Sequence, residues 1–282
     1  MSHEVVVGVD GTLSSRAAVR WGAEAAWARR ADLVLVHATG RPAPGVDTAW
    51  DGMLEAEITT MLDHEAAQVR HDLPELKIRT EIDIETPARC LTRRSTTALL
   101  VVVGTRRMTA AQRVFSGSLA YQVVAGSHGA VAVVPPPVTG PSENRVVVGA
   151  DGSPDSVTAV RVGAQEADRI GAVLEVVHAW LEPAVVSGVT WVPPDIEDLT
   201  RDEERVVLSE AAAGLGEDFP DLEIERSLVQ AQPAAALLAA ASAARLLIVG
   251  SRGLHGVARM LLGSTSHAVV LHSPCPVLVV RG

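Results

Sequence analysis

Residues 250–266 run Gly-Ser-Arg-Gly, nine further residues, then Gly-Ser-Thr-Ser. Glycines at Gly250, Gly253 and Gly263 let the backbone come close to an anion and offer it N–H groups. Gly263 and Ser264 fall where a helix should begin. The unpaired N–H groups and the dipole of such an end favour phosphate. Thr265 continues the segment, and the hydroxyls of Ser264 and Ser266 are candidate further donors. An ordinary capped turn is the competing reading, and the full spacing behind an apolar strand weighs against it.

Two further features belong at the same edge. Asp151-Gly152-Ser153 follows one apolar run, and Asp10-Gly11-Thr12 follows another. A carboxylate at a strand's end can accept hydrogen bonds from sugar hydroxyls, and it would repel phosphates. The alternative is an aspartate capping the next helix, which its recurrence makes less attractive. His37-Ala38 and His178-Ala179 end two more strands, where backbone groups near Ala38 and Ala179 could read the edge of a base. Catalysis by these histidines is not favoured, because no nucleophile with an orienting acid accompanies them.

The elements that position these residues occur twice. Residues 5–38 and 146–179 agree at 18 of 34 positions at an offset of 141. Further on the offset is 146, pairing Pro87 with Pro233, Gly104 with Gly250, Gly117 with Gly263 and Ser118 with Ser264. The five extra residues of the second copy are best placed between Trp180 and Ile196. A proline-rich stretch, Pro135 to Asn144, separates the copies. The expected domains are 1–138 and 144–282, with a linker at 139–143.

Each copy alternates strand and helix. In the first, Glu4–Val9, Leu33–Ala38, Leu76–Ile84, Leu99–Val103 and Val131–Val134 read as strands. Leu13–Arg30 and Trp50–His71 read as helices, the second with Met53, Leu54, Ile58, Met61 and Leu62 facing inward. Pro87 opens a short helix, and another starts near Gly117. The second copy is expected to repeat this order. Five strands joined by helices imply an α/β fold with a parallel sheet, right-handed crossovers and helices on both faces. Ligands of such sheets bind beyond the carboxyl ends of the strands.

Composition excludes several classes. Apolar residues make up 48% and charged residues 21%, enough for packed cores and too few charges for a disordered chain. The net charge of −10 sits mostly in the second copy: residues 1–140 hold 14 basic and 15 acidic residues, residues 141–282 hold 10 and 19. No basic stripe is available for nucleic acid. No apolar stretch is long enough to span a membrane and no signal peptide is recognised, so a soluble, cytoplasmic protein is expected. Cys90 and Cys275 match no metal or redox spacing and read as free thiols.

Together these residues resemble the universal stress protein family in its tandem two-domain form. The family pattern, Gly-x2-Gly-x9-Gly-(Ser/Thr) after the fourth strand with an Asp ending the first, is met at Asp151, Gly250, Gly253, Gly263 and Ser264. The closing segment HSPCPVLVV, residues 272–280, is similar to the family's last helix end and last strand. The resemblance covers nearly the whole chain. It implies a five-stranded Rossmann-like domain of strand order 3-2-1-4-5, with ATP between the first and fourth strands and Mg2+ beside its phosphates. By the same resemblance Asp151 faces the ribose, the backbone near Ala179 faces adenine, and Gly250, Gly253, Gly263, Ser264 and Ser266 face the phosphates. It further implies that Val131–Val134 and Val277–Val280 are pairing strands, with an intramolecular domain pair and a homodimer as the expected assemblies.

The first copy departs from the pattern. Arg107 stands where the second glycine belongs and Ala120 replaces the second hydroxyl, so this copy should bind nucleotide more weakly or not at all. If the second glycine needs a positive φ, arginine there is strained by about 1–2 kcal/mol. The expected function is an ATP-binding regulatory protein of the stress response, not an enzyme. Lys77, the only lysine, is misplaced for phosphate-loop ATPase chemistry. A slow ATPase and a scaffold with vestigial sites are the alternatives, and cyclic AMP in place of ATP stays open.

Overall fold

A computed structural model describes residues 3–40, 48–105, 119–136, 143–181, 196–254 and 262–282. The chain divides into two compact units, Met1–Thr139 with Pro276–Val279 and Gly140–Cys275 with Val280–Gly282.

In the first unit β1 (Glu4–Gly8), α1 (Leu13–Ala28), β2 (Asp32–Ala38), α2 (Thr48–Asp72), β3 (Ile78–Asp83), α3 (Pro87–Arg94), β4 (Leu100–Gly104), α4 (Leu119–Gly126) and β5 (Val131–Val134) follow in order. The strands are parallel in the order β3-β2-β1-β4-β5. The central strands are β-branched runs buried along their length, as parallel strands covered on both faces require. Successive residues of β1 show the two faces. A Cβ on Gly22 of α1 would meet Val7, and a Cβ on Gly8 would meet Leu91 of α3. Since neighbouring strand residues point to opposite faces, α1 and α3 cover opposite sides of the sheet. Small residues on α1 (Ala18, Gly22, Ala26) let it lie tight on the valines.

The last strand of the chain, β10 (Val277–Val280), runs antiparallel to β5, with Val277 opposite Val133, Leu278 opposite Ala132 and Val279 opposite Val131.

In the second unit β6 (Arg145–Gly149), α5 (Pro154–Ile170), β7 (Val173–Trp180), α6 (Ile196–Ala211), α7 (Leu215–Asp218), β8 (Ile224–Gln230), α8 (Pro233–Ala240), β9 (Leu246–Gly250) and α9 (Ser264–His272) follow. Here β6 pairs with β7 and β9, and β7 with β8, all parallel. Gly149 faces Leu237 of α8, while Val148 faces Gly163 of α5, so this sheet too is covered on both sides.

Two sequence expectations change. The second unit is not a strict copy, because the short helix α7 follows α6, entered through Gly214 at φ 77°. Met53 is 70% exposed instead of inward. The buried stripe of α2 begins at Ile58 and continues through Leu62, Ala66 and Val69, a helical spacing.

Candidate functional site

Behind β6 the backbone turns through Gly152 at φ 79°, a left-handed conformation that glycine adopts freely. Gly11 repeats it behind β1 at φ 73°. The next residue, Ser153, caps α5 by accepting from the Ser156 N–H at 3.2 Å, and Pro154 occupies the first turn. Thr12 caps α1 in the same way. The aspartate is therefore not the cap. Asp151 Oδ1 orients the cap by accepting from the Ser153 N–H at 3.0 Å and hydroxyl at 2.6 Å. Its Oδ2 accepts from the Leu254 N–H at 3.2 Å. A carboxylate offers about four acceptor sites, so Asp151 retains capacity for a sugar hydroxyl.

Gly250 ends β9 against the first turn of α5, and a Cβ there would stand 2.8 Å from Asp155. A Cβ on Gly253 would run into Asp151 Oδ2. Neither glycine has a positive φ. The condition for backbone strain at Gly253, a positive φ, is therefore not met, and a side chain there would have to displace the tip of the Asp151 carboxylate. Gly104 repeats the approach in the first unit, where a Cβ would strike the Ser14 carbonyl. Arg107, Gly117 and Ser118 lie outside the described residues.

The loop closes on itself. The Ser251 N–H donates to the Val280 carbonyl and the Gly263 N–H to the Ser251 carbonyl, each at 2.8 Å. Gly263 is the N-cap residue of α9 and has no side chain to offer. Among the described residues no hydrogen bond engages the N–H groups of Ser264 or Thr265, at the start of this helix. Ser264 is exposed and Thr265 half-buried. An uncapped helix start of this kind is suited to an anion. Ser266 differs from its expected role: its hydroxyl is buried and donates to the Gly250 carbonyl at 2.6 Å, so its single proton braces the loop.

At the end of β7, His178 is 5% exposed. Its Nδ1 lies 2.6 Å from the Ala150 carbonyl and its Nε2 2.5 Å from Glu204 of α6. It ties the end of β7 to the turn after β6 and to α6. His37 makes the first of these contacts, with the Val9 carbonyl at 2.7 Å. Ala38 and Ala179 are half-buried strand-end residues, in register with Asp83 and Val229.

Asp155 and Glu204 were not singled out from sequence. Asp155 is 5% exposed in the first turn of α5 and gathers donors from Ser251, Arg252 and Gly282. Burial opposes its ionisation, but the Ser251 hydroxyl, the Gly282 N–H and Arg252 outweigh burial and hold its pKa below the ordinary carboxylate value. Its mismatch with Ser14 at the repeat offset was the available signal.

Cys90 and Cys275 are buried thiols outside any disulfide among the described residues, and burial pushes the Cys90 thiol up to about 11. Among the described residues no group of three or more His, Cys, Asp or Glu could hold a metal ion, and no helix is long and apolar enough to cross a membrane.

Fold and edge together define a Rossmann-like α/β domain whose first-strand turn carries an aspartate, present twice in one chain. The family model for universal stress proteins matches residues 1–135 and again 143–281. The chain is 35% identical over 297 residues to a universal stress protein of Mycolicibacterium smegmatis, covering 99% of this chain and 97% of that one. It is 35% identical over 295 residues to universal stress protein Rv2005c of Mycobacterium tuberculosis, with the same coverage of 99% and 97%. Among solved structures, a universal stress protein from Archaeoglobus fulgidus shares the fold, at TM-score 0.69 and 20% identity over 99% of this chain and 96% of that one. The chain belongs to the universal stress protein family, in tandem two-domain form.

Proposed function

We propose that the second repeat binds ATP, and that the protein is a stress-response regulator whose bound nucleotide sets its conformation or its partner contacts without efficient turnover. The observation that carries this reading is the contrast between two helix starts in one unit. Ser153 caps α5 with its side chain, whereas Gly263 leaves α9 with no side-chain cap. In this reading the N–H groups of Ser264 and Thr265 and the Ser264 hydroxyl receive the phosphates. Asp151 takes a ribose hydroxyl, and the backbone near Ala179 meets the base. Mg2+, when bound, would neutralise phosphate charge in an acidic domain; with no group of His, Cys, Asp or Glu among the described residues that could hold a metal ion, it would be held chiefly by the phosphates. Nothing in the reading calls for hydrolysis, since the single lysine, Lys77, lies in the first repeat.

Equilibrium dialysis of ATP against the wild type and Ser264→Pro tests this. Proline is favoured at the first helical position, and the extended Gly263 before it, at ψ 157°, is compatible. The substitution therefore deletes an N–H and a hydroxyl without breaking the helix. A loss of at least about tenfold in affinity is expected, with ligand-free melting unchanged. Equal affinity of the two proteins would contradict the reading. A phosphate-release assay should show no turnover above background; sustained release abolished by Ser264→Pro would favour the slow-ATPase alternative.

A further inference from the structure

The joint between β9 and α5 of the second unit is organised by one carboxylate. Asp155 Oδ2 accepts from the Ser251 hydroxyl at 2.8 Å and the Arg252 N–H at 3.1 Å, and its Oδ1 accepts from the Gly282 N–H at 3.1 Å. The Arg252 Nε lies 3.5 Å from the same Oδ2, which balances the charge. Ser251 is fully buried, and its carbonyl accepts the Gly263 N–H at 2.8 Å. A continuous path therefore runs from Asp155 through Ser251 to Gly263, the residue before the first N–H groups of α9. Gly250 sits against Asp155 too closely to admit a Cβ, so strand and helix cannot be separated by a side chain there.

The first repeat keeps the close approach, with Gly104 against the Ser14 carbonyl, but changes both partners of the joint. Ser14 stands at the position of Asp155, and Thr105 at that of Ser251. Ser14 is also buried, yet a hydroxyl carries no charge and cannot collect three donors and a guanidinium. Charge-assisted bonds to a carboxylate are about twice as strong as neutral ones. The two repeats therefore share loop spacing without sharing what anchors the loop.

We infer that Asp155 is a positioning residue for the phosphate loop: through Ser251 and Arg252 it fixes where α9 presents the N–H groups of Ser264 and Thr265, and so sets the phosphate-dependent part of nucleotide affinity in the second repeat. This rests on the nucleotide reading above. It adds a residue outside the glycine pattern, and a reason why the first repeat should bind the phosphates less well even where its glycines are retained.

Titration calorimetry on the whole chain with ATP and with adenosine separates this role from a general loosening of the domain. Wild type should prefer ATP to adenosine by at least about tenfold. In Asp155→Asn that preference should fall toward unity, with adenosine affinity held within about twofold. Ser251→Ala, which leaves α5 untouched, should lower the preference by about threefold and decides the matter should Asp155→Asn fail to fold. An unchanged preference in the variants, or an equal loss for both ligands, would overturn the positioning role while leaving the nucleotide reading in place. Wild type binding neither ligand would overturn both.

Discussion

Asp10 receives the Thr12 hydroxyl at 2.6 Å, and Asp151 receives the Ser153 hydroxyl at the same distance. Gly11 and Gly152 take the same left-handed turn, and each following hydroxyl caps its helix. Elsewhere along the sheet edge the repeats diverge in what they use to brace these turns. The second joins its turn to the loop after the fourth strand through Asp155 and Ser251, and joins β7 to α6 through His178 and Glu204. The first has Ser14 and Thr105 at the former positions, and Arg107 in place of a glycine whose counterpart abuts Asp151. Repeat similarity thus records a shared scaffold, while the bonds across the strand ends distinguish one repeat from the other.

The sharpest way to erase the difference is Gly253→Arg, which puts the first repeat's residue into the second. Its Cβ would collide with Asp151 Oδ2. ATP affinity should fall about 100-fold, roughly 2.7 kcal/mol, by equilibrium dialysis. Retained affinity would mean that Arg107 is no obstacle in the first repeat either.

Gly250→Ala acts on the packing that both repeats share, placing a Cβ 2.8 Å from Asp155. Overpacking of this kind costs about 1–3 kcal/mol, to be read as a lower urea midpoint. No change would show that strand and helix can part without cost. Ser266→Ala should cost about 1 kcal/mol by loss of the bond to the Gly250 carbonyl. ATP affinity should change little, since that hydroxyl is turned into the protein; a tenfold loss would restore its role as a phosphate donor.

The smallest effect expected is in pH dependence. Asp155 has a depressed pKa when folded, so its ionised form stabilises the fold above the ordinary carboxylate range. That contribution is lost as pH falls through the folded value. The stability difference between wild type and Asp155→Asn should accordingly be greatest near neutrality and shrink in acid. A difference that grows on acidification would contradict the assignment of an ionised Asp155.

Much of the scaffold was legible because parallel strands must be apolar on both faces. Val131–Val134 was readable to the residue, and Pro87, Pro154 and Pro233 mark helix starts. The start of α9 at Gly263 was legible because a glycine followed by hydroxyl residues marks a helix N-terminus. The direction of the Ser266 hydroxyl was not, since periodicity does not say which side of the first turn faces the loop. Asp155 was hidden because its partner Ser251 is 96 residues away. The closeness of Gly253 to the Asp151 carboxylate was not legible, since the two residues are 102 positions apart in the sequence.

The central claim is that the repeats differ in nucleotide occupancy. Calorimetric titration of ATP into the full chain, beside Ser264→Pro, tests it most directly. One tight site per chain, lost in Ser264→Pro, is the predicted result. Two equivalent sites, or one that survives Ser264→Pro, would contradict it.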